Sequence, residues 1–272
     1  MNIALIIPAR YGSTRFPGKP LVKIAGESML SRVVSLGRSV KERFPNIQLA
    51  VATEDERIAQ HCKDIDVQCI MTSDSCETGS DRILEAALTL SIKPDFVIGL
   101  QGDAPFTPLH VIEALISTLQ NKPDTRIATP VIPLRWAELD TLRTHKKVTP
   151  FSGTTAIVTR DAKAGYKALW FSKNILPAMR KEESLRLESA FSPVHQHLGL
   201  YGYALDTLKT FVELPLGTYE QLEGLEQLRM IENGIEITAV PVEVDMGLAQ
   251  AGIDSPEDVE RAEAMLERAA RS

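Results

Sequence analysis

A short basic segment near the N-terminus holds the side chains best suited to bind a charged ligand. Arg10, Arg15 and Lys19 lie close together there, and Gly12 and Gly18 lie among them. Cationic side chains and glycine-exposed backbone amides are common partners of phosphate oxygens. The residues therefore predict a loop that binds a polyphosphate.

The spacing of this loop differs from that of two well-known phosphate loops. A Walker loop requires G-x-x-x-x-G-K-S/T, but Gly12 and Gly18 are further apart than that, and Pro20 follows Lys19. The glycines do not form a dinucleotide fingerprint either. A solvated basic loop that only joins a strand to a helix stays open as the alternative.

Two carboxylates occupy positions where a magnesium ion could be held. Asp103, in the segment Gln101-Gly102-Asp103-Ala104-Pro105, directly follows an apolar run, and Asp254 precedes a helix start at Ser255. Proteins usually bind Mg²⁺ through one or two carboxylates together with phosphate oxygens and waters. Asp103 is thus a predicted metal ligand, and Asp254 is a candidate for the second carboxylate. The structural alternatives are a turn cap at Asp103 and a helix N-terminal turn at Asp254.

Apolar runs alternate with helical patterns along the first half of the chain. This alternation is typical of right-handed βαβ units, and it predicts an α/β fold with a mainly parallel sheet. Ligands of such sheets bind at the carboxyl ends of the strands, where the basic loop and Asp103 would lie. The predicted strands are 3–7, 47–52, 67–71 and 96–100, and the predicted helices lie near 29–36, 54–62 and 80–90.

The second half of the chain is less regular. Strands are predicted at 127–133, 154–158, 197–204 and 235–244, with a helix over 221–233 that Gly234 ends and a loop over 181–189. No linker marks a domain boundary. The chain is therefore predicted to be a single α/β domain over 1–272 with an embedded smaller subdomain at roughly 130–215.

Composition limits the classes of function. The 272 residues are 44% hydrophobic, and the net charge is -6 with an isoelectric point near 5.5, which argues against a dedicated nucleic-acid binder. No apolar run is long enough to span a membrane, so the cytoplasm is the expected location. The three cysteines form no C-x-x-C pair, which disfavours a metal cluster or a disulfide framework.

The opening segment resembles that of a known enzyme family. Ile7-Pro-Ala-Arg-Tyr-Gly-Ser-Thr-Arg-Phe-Pro-Gly-Lys-Pro-Leu21 is similar to the I-P-A-R-Y-x-S-S/T-R-x-P-G-K-P-L of the CMP-Kdo synthetases, which are 3-deoxy-manno-octulosonate (Kdo) cytidylyltransferases. Sialic acid cytidylyltransferases usually carry a G-G-S-K-G type of loop instead. The resemblance implies a Rossmann-like sheet of the nucleotide-diphospho-sugar transferase type with a smaller dimerisation and sugar-binding subdomain, and a homodimer.

The resemblance also implies an activity, a cofactor and roles for the opening loop. The enzyme would transfer cytidylate from CTP to an acidic ulosonate sugar with Mg²⁺, for lipopolysaccharide or capsule synthesis. Arg10, Ser13, Arg15 and Lys19 would bind the CTP phosphates. Arg15, Lys19 and Asp103 would form the catalytic set, because the two cations would stabilise the departing pyrophosphate.

Two more motifs extend the resemblance on the nucleotide side. The segment 101–105 is similar to the family's Q-G-D-x-P, whose Asp binds magnesium and whose Gln contacts the sugar. The segment 252–258 is similar to G-V/I-D-T/S-P-E-D, whose first Asp joins the metal site, which implies that Asp254 binds the metal with Asp103. The segment 78–82 is similar to S-G-T-D-R, which implies that Ser80 and Arg82 contact the nucleotide. Without the resemblance, Ser80 would be interpreted as the cap of an ordinary helix.

Resemblance on the sugar side is weaker. The segment 197–203 is similar to H-I/L-G-I/V-Y-A-Y, and 222–229 is similar to I-E-x-L-E-Q-L-R, which implies sugar contacts from His197, Tyr201, Glu223 and Gln227 as well as Gln101. The second segment alone is typical of a packed helix. Glu223 and Gln227 would share one face of it, because they are four residues apart.

The departures from the family pattern cluster on the same side. Ala104, Lys173 and Gln196 replace residues common in the family, and the segment 148–155 differs as well. Three alternatives therefore stay open: an acceptor such as 8-amino Kdo or a sialic-acid-like sugar, a sugar 1-phosphate acceptor, and a nucleotide-binding regulator without catalysis.

Overall fold

A computed structural model describes residues 1–12, 16–161, 165–244, 253 and 255–271. The chain divides into two compact units. The first comprises Met1–Glu113, Gly202–Val212 and Asp245–Ser272, and the second comprises Ala114–Tyr201 and Glu213–Val244. No helix in the described residues has both the length and the apolar character needed to cross a membrane.

Strands and helices alternate along the chain. The strands are β1 (Ile3–Pro8), β2 (Lys23–Ile24), β3 (Glu27–Ser28), β4 (Gln48–Thr53), β5 (Cys69–Met71), β6 (Phe96–Gly99), β7 (Ile127–Arg135), β8 (Thr154–Asp161), β9 (Gly165–Ser172), β10 (Phe191–His197), β11 (Tyr201–Ala204) and β12 (Ile237–Pro241). The helices are α1 (Met29–Arg43), α2 (Glu56–Asp64), α3 (Gly79–Thr89), α4 (Leu109–Asn121), α5 (Trp136–Lys146), α6 (Glu182–Glu188), α7 (Leu205–Glu213), α8 (Thr218–Glu223), α9 (Gln227–Glu232) and α10 (Pro256–Arg271).

The sheet of the first unit has the strand order β11-β6-β1-β4-β5, and β1, β4 and β6 are almost entirely buried. The pairs β1–β4, β1–β6 and β4–β5 are all parallel. In β1, Leu5 pairs with Leu49 on one side and with Ile98 on the other, and all three side chains are buried. A strand covered on both faces must be apolar throughout, which is why the run 3–7 predicted it correctly.

The second unit has a sheet of mixed direction, in the order β10-β8-β9-β12-β7. β12 and β7 are parallel, whereas β8–β9, β9–β12 and β8–β10 are antiparallel. The α/β fold class is confirmed, and its parallel character belongs mainly to the first unit. The boundaries of a subdomain at roughly 130–215 stay a prediction.

Three predicted elements of the second half are wrong in detail. The strand over 197–204 is broken, because the chain turns through Leu198–Leu200 between β10 and β11 and the Leu198 amide bonds to the Pro130 carbonyl. The helix over 221–233 is two helices, because Gly224 adopts a left-handed conformation (φ 63°) and ends α8. The loop over 181–189 contains α6, which ion pairs to α5 stabilise.

Candidate active site

A cavity of about 420 Å³ opens at the carboxyl ends of β1 and β6 in the first unit. This position is where ligands bind in parallel α/β sheets. Most of its lining residues come from the ends of these strands, from the turn at Lys19 and from the start of α3. They are Pro8, Ala9, Arg10, Lys19, Pro20, Cys76, Glu77, Thr78, Gly79, Arg82, Gln101, Gly102 and Asp103.

Gly102 allows the loop after β6 to approach the end of β1. A Cβ at this position would lie 2.8 Å from the carbonyl oxygen of Pro8, which is closer than real side chains tolerate. Glycine has no Cβ, so the backbone of the loop can pack directly on this carbonyl. The loop thereby presents both Gln101 and Asp103 to the cavity.

Lys19 and Asp103 form an ion pair on the wall of this cavity. The Lys19 Nζ lies 3.0 Å from Asp103 Oδ2, with the lysine side chain 12% exposed and the aspartate 46%. Lys19 begins a 3-10 turn that follows Gly18, whose positive φ of 72° favours glycine. The Gly18 amide also donates to the Tyr11 carbonyl at 3.0 Å, which closes the base of the basic loop.

The predicted nucleotide residues Arg10 and Arg82 have different surroundings. Arg10 is exposed at the cavity. Arg82 is buried, and its guanidinium pairs with Glu54 at 2.8 Å and donates to the hydroxyl of Thr72. Arg10 therefore presents an accessible charge, whereas the Nη1 of Arg82 is engaged by Glu54 and Thr72.

Thr78, not Ser80, caps α3. The Thr78 hydroxyl accepts from the Asp81 amide, and the Asp81 carboxylate accepts from the Thr78 amide at 2.7 Å, which completes a capping box. The alternative interpretation of Ser80 as the cap is wrong, because the reciprocal bonds require a spacing of three residues between the cap and the acidic side chain. Ser80 is instead buried in the first turn of the helix.

Of the two carboxylates predicted to bind a divalent metal, the structure describes only Asp103. Asp103 presents a carboxylate to the cavity, and hard oxygen donors of this kind fit Mg²⁺. Within the described ranges no group of three His, Cys, Asp or Glu side chains forms a metal site. Ser13, Arg15 and Asp254, which the sequence predicted for this site, lie outside the described residues. Ile253, the residue before Asp254, donates its amide to the Asp103 carbonyl at 3.2 Å.

Sequence reasoning missed Glu54 and Arg57, which both contact Tyr11 in the basic loop. Glu54 pairs with Arg82 and accepts from the Tyr11 amide at 3.3 Å, so it joins the basic loop to α3. The guanidinium of Arg57 lies over the Tyr11 ring, 3.3 Å from its centre. Glu54 directly follows β4, so the argument that selected Asp103, a carboxylate at the end of a buried strand, would also have selected Glu54.

The predicted sugar residue His197 lies half-buried in the second unit. Its Nε2 lies 2.9 Å from the hydroxyl of Thr129, which donates its proton to the Leu200 carbonyl at 2.8 Å. The hydroxyl must therefore accept from Nε2–H. Burial, with a smaller effect of the Lys173 charge, lowers the pKa of His197 to about 3. The ring of Tyr201 lies 5.4 Å away, so these two predicted residues are neighbours.

Glu223 ends α8 and binds the end of β9. Its Oε1 accepts from the Ser172 hydroxyl and its Oε2 from the Lys173 amide, both at 2.7 Å. Gln227 begins α9 beyond the break at Gly224 and is buried. The prediction that Glu223 and Gln227 share a helix face is wrong, because Gly224 ends the helix between them.

Two lysines lie beside Glu223. Lys173 donates to the Thr154 hydroxyl at 3.3 Å, and burial lowers its pKa although the Glu223 charge raises it. Burial, together with the charge of Lys173, also lowers the pKa of Lys146. The second unit therefore holds a cluster of two cations, one carboxylate and one neutral imidazole around the end of β9.

The first unit alone defines an α/β protein that presents cations at the carboxyl ends of parallel strands, as proteins that bind phosphorylated ligands do.

Residues 4–237 match the family model described as cytidylyltransferase. The 3-deoxy-manno-octulosonate cytidylyltransferase of Maricaulis maris is 40% identical, covering 98% of this chain and 97% of that one. The 3-deoxy-manno-octulosonate cytidylyltransferase of Anaeromyxobacter dehalogenans is 38% identical, covering 97% of this chain and 98% of that one.

A solved structure is similar over the whole chain. It is a CMP:2-keto-3-deoxy-manno-octonic acid synthetase complexed with CTP, with a TM-score of 0.81, 29% identity and coverage of 99% of this chain and 100% of that one. The chain therefore belongs to the cytidylyltransferase family, in its 3-deoxy-manno-octulosonate branch. It is a nucleotidyltransferase with the nucleotide-diphospho-sugar transferase fold, as the sequence predicted.

Proposed function

We propose that this protein activates 3-deoxy-manno-octulosonate, or a close acidic variant, with CTP. The anomeric hydroxyl oxygen of the sugar acid attacks the α-phosphorus of CTP and forms the new P–O bond. The bond from the α-phosphorus to the β-phosphate oxygen breaks, pyrophosphate leaves, and the hydroxyl proton passes to solvent. The product is the CMP-sugar.

The observation that carries this proposal is the Lys19–Asp103 pair in the cavity that Arg10 also lines. Nucleotidyl transfer depends chiefly on positioning and on neutralising phosphate charge, and it asks little covalent chemistry of the protein. Lys19 and Arg15 would bind the β- and γ-phosphates and stabilise the departing pyrophosphate. Arg10, Ser13, Ser80 and Arg82 would complete the nucleotide contacts.

A divalent metal, expected to be Mg²⁺, belongs to the proposal. Asp103 would hold it with phosphate oxygens and water, and Asp254 would add the second carboxylate. Bound there, the ion would neutralise charge at the α-phosphate and polarise the acceptor hydroxyl. The amide contact from Ile253 to the Asp103 carbonyl supports this pairing, because it ties the residue before Asp254 to the Asp103 backbone.

The acceptor would be recognised by Gln101, His197, Tyr201, Glu223 and Gln227. His197 is neutral because of its lowered pKa, so it would contribute hydrogen bonding instead of charge. Lys173 lies in the same cluster and would supply positive charge for the carboxylate of a sugar acid. We further propose that the protein acts as a homodimer in the cytoplasm, and that its CMP-sugar product is used in lipopolysaccharide or capsule synthesis.

The test is pyrophosphate release with CTP, Mg²⁺ and a panel of sugars. The panel contains Kdo, 8-amino Kdo, a sialic acid and a sugar 1-phosphate, and UTP and ATP replace CTP as nucleotide controls. We expect turnover with Kdo and CTP that chelation of the metal abolishes. Turnover with the amino sugar alone would contradict the Kdo assignment. Tight CTP binding without turnover for any sugar would contradict catalysis.

A further inference from the structure

Lys146 is the last residue of α5, and its ammonium group is surrounded by backbone carbonyls. It donates to the carbonyl oxygens of Lys173 at 2.6 Å, Gly153 at 3.0 Å and Pro150 at 3.3 Å, and also to that of Ser152. An ammonium group has three donors and no acceptor. These carbonyls therefore use all its donors, and Lys146 has none left to bind a substrate.

The carbonyls belong to two segments that meet beside Glu223. One is the turn 150–153, which leads into Thr154, and the other is the residue directly after β9. Lys173 reaches the Thr154 hydroxyl with its own Nζ at 3.3 Å, while its amide donates to Glu223 at 2.7 Å. Lys146 thus joins the turn to the backbone that carries both the Lys173 side chain and one of the two donors to Glu223.

We propose that Lys146 is a positioning residue for the acidic acceptor: its ammonium fixes the turn 150–153 to the Lys173 backbone and thereby orients Lys173 and Glu223. This inference rests on the proposed function, because it concerns the site that would bind the sugar acid. Lys173 would attract the acceptor carboxylate, and Glu223 would accept from an acceptor hydroxyl. The contacts of Lys146 would add to the bonds that Ser172 makes to Glu223 and that Thr154 makes to Lys173.

The energetics favour a specific role for this charge. Burial lowers the pKa of Lys146, so keeping the ammonium at this position has a cost that ordinary surface lysines do not have. Hydrogen bonds from a charged donor to carbonyls are stronger than neutral ones and offset that cost. The adjacent Lys147 is exposed and offers a matched control on the same helix end.

The test compares Lys146→Met with Lys147→Met in the full-length protein. For Lys146→Met we expect the KM for the sugar acid to rise about tenfold or more, with the KM for CTP and kcat within about threefold of wild type. Lys147→Met should leave all three unchanged. Lys146→Arg keeps a charged donor and should restore much of the acceptor affinity. An unchanged acceptor KM in Lys146→Met, or equal losses for CTP and acceptor, would refute the proposal.

Two further measurements keep the result decisive. If Lys146→Met does not fold, Lys146→Gln replaces it, because the amide keeps two donors without charge and should show the same split between acceptor and CTP. Calorimetric titration of the sugar acid in the presence of CTP and a metal chelator measures acceptor binding without turnover, and pyrophosphate release is then measured with Mg²⁺. A wild-type protein that binds the acid without releasing pyrophosphate contradicts the proposed function alone, whereas equal binding by wild type and Lys146→Met contradicts this inference alone.

Discussion

The ammonium of Lys19 lies 3.0 Å from the carboxylate of Asp103, although 84 positions separate the two residues in the chain. The contact unites the end of the basic loop with the end of β6 on the wall of one cavity. It places the cation that we propose for phosphate next to the carboxylate that we propose for the metal. A bound triphosphate with its metal would therefore meet both partners at a single point.

Replacing Asp103 by Asn tests this point directly. The amide keeps the size of the side chain but loses the charge that a metal ion needs. We expect Asp103→Asn to lower kcat for pyrophosphate release at least about 100-fold, since losing one electrostatic group at such a site costs that much. The exposed Asp124 provides the control, and Asp124→Asn should behave as wild type. Activity of Asp103→Asn within tenfold of wild type would remove Asp103 from the catalytic set.

Gly102→Ala should displace the loop after β6. The added methyl group would lie 2.8 Å from the Pro8 carbonyl oxygen, so the backbone must shift. We expect a loss of about 1–3 kcal/mol in the free energy of unfolding, as for other overpacked positions, and a clear loss of CTP turnover. Urea unfolding and pyrophosphate release measure the two effects. Gly199→Ala meets no atom within 4 Å and should leave stability nearly unchanged.

Stability of the second unit should depend on the buried pair of Glu220 and Arg229. The guanidinium donates through Nη2 to Oε1 at 2.7 Å and through Nε to Oε2 at 2.8 Å, and the side chains are only 10% and 7% exposed. Arg229→Met leaves the Glu220 charge buried without this partner, so urea unfolding should show a loss of about 3–5 kcal/mol. The exposed pair of Lys209 and Asp206 is the control, and Lys209→Met should cost less than about 1 kcal/mol.

The half-buried His197 should make stability depend on pH in the acidic range. Its pKa is about 3 in the folded protein against 6.5 for an unperturbed histidine, so between these values the unfolded chain binds the extra proton. The free energy of unfolding should therefore fall as the pH decreases below about 6.5, by up to about 1.4 kcal/mol per pH unit from this group. Its contribution is fully present above that pH.

Urea unfolding of wild type and His197→Gln between pH 7 and pH 5 measures this contribution. The variant cannot take up the proton, so its stability should decrease less steeply with falling pH. His110→Gln changes an exposed histidine and should keep the wild-type slope. Parallel slopes for wild type and His197→Gln would contradict the lowered pKa, because they would show that His197 takes up its proton as readily in the folded protein as in the unfolded chain.

The sequence by itself determined the α/β class, most strands of the first unit and the family. These follow from local signals. An apolar run such as Ile3–Ile7 indicates a strand that is buried on both faces, and a long specific motif such as 7–21 indicates the family from the residue types alone. Tertiary structure decided which groups meet. Two ion pairs, Lys19 with Asp103 and Glu54 with Arg82, join residues that are distant in the chain. The carbonyl contacts of Lys146 depend on irregular turns that no sequence pattern predicts.

A local hydrophobic pattern also gave a wrong prediction where a single glycine ended the predicted helix. The leucine pattern over 221–233 predicted one continuous helix, but Gly224 adopts a left-handed conformation that ends α8 and turns the chain between Glu223 and Gln227. Glu223 then binds Ser172 and the Lys173 amide, a set of partners that no periodicity encodes. The helical period describes which face of a segment is apolar, whereas long-range hydrogen bonds depend on how separate segments pack, and only the folded chain decides that.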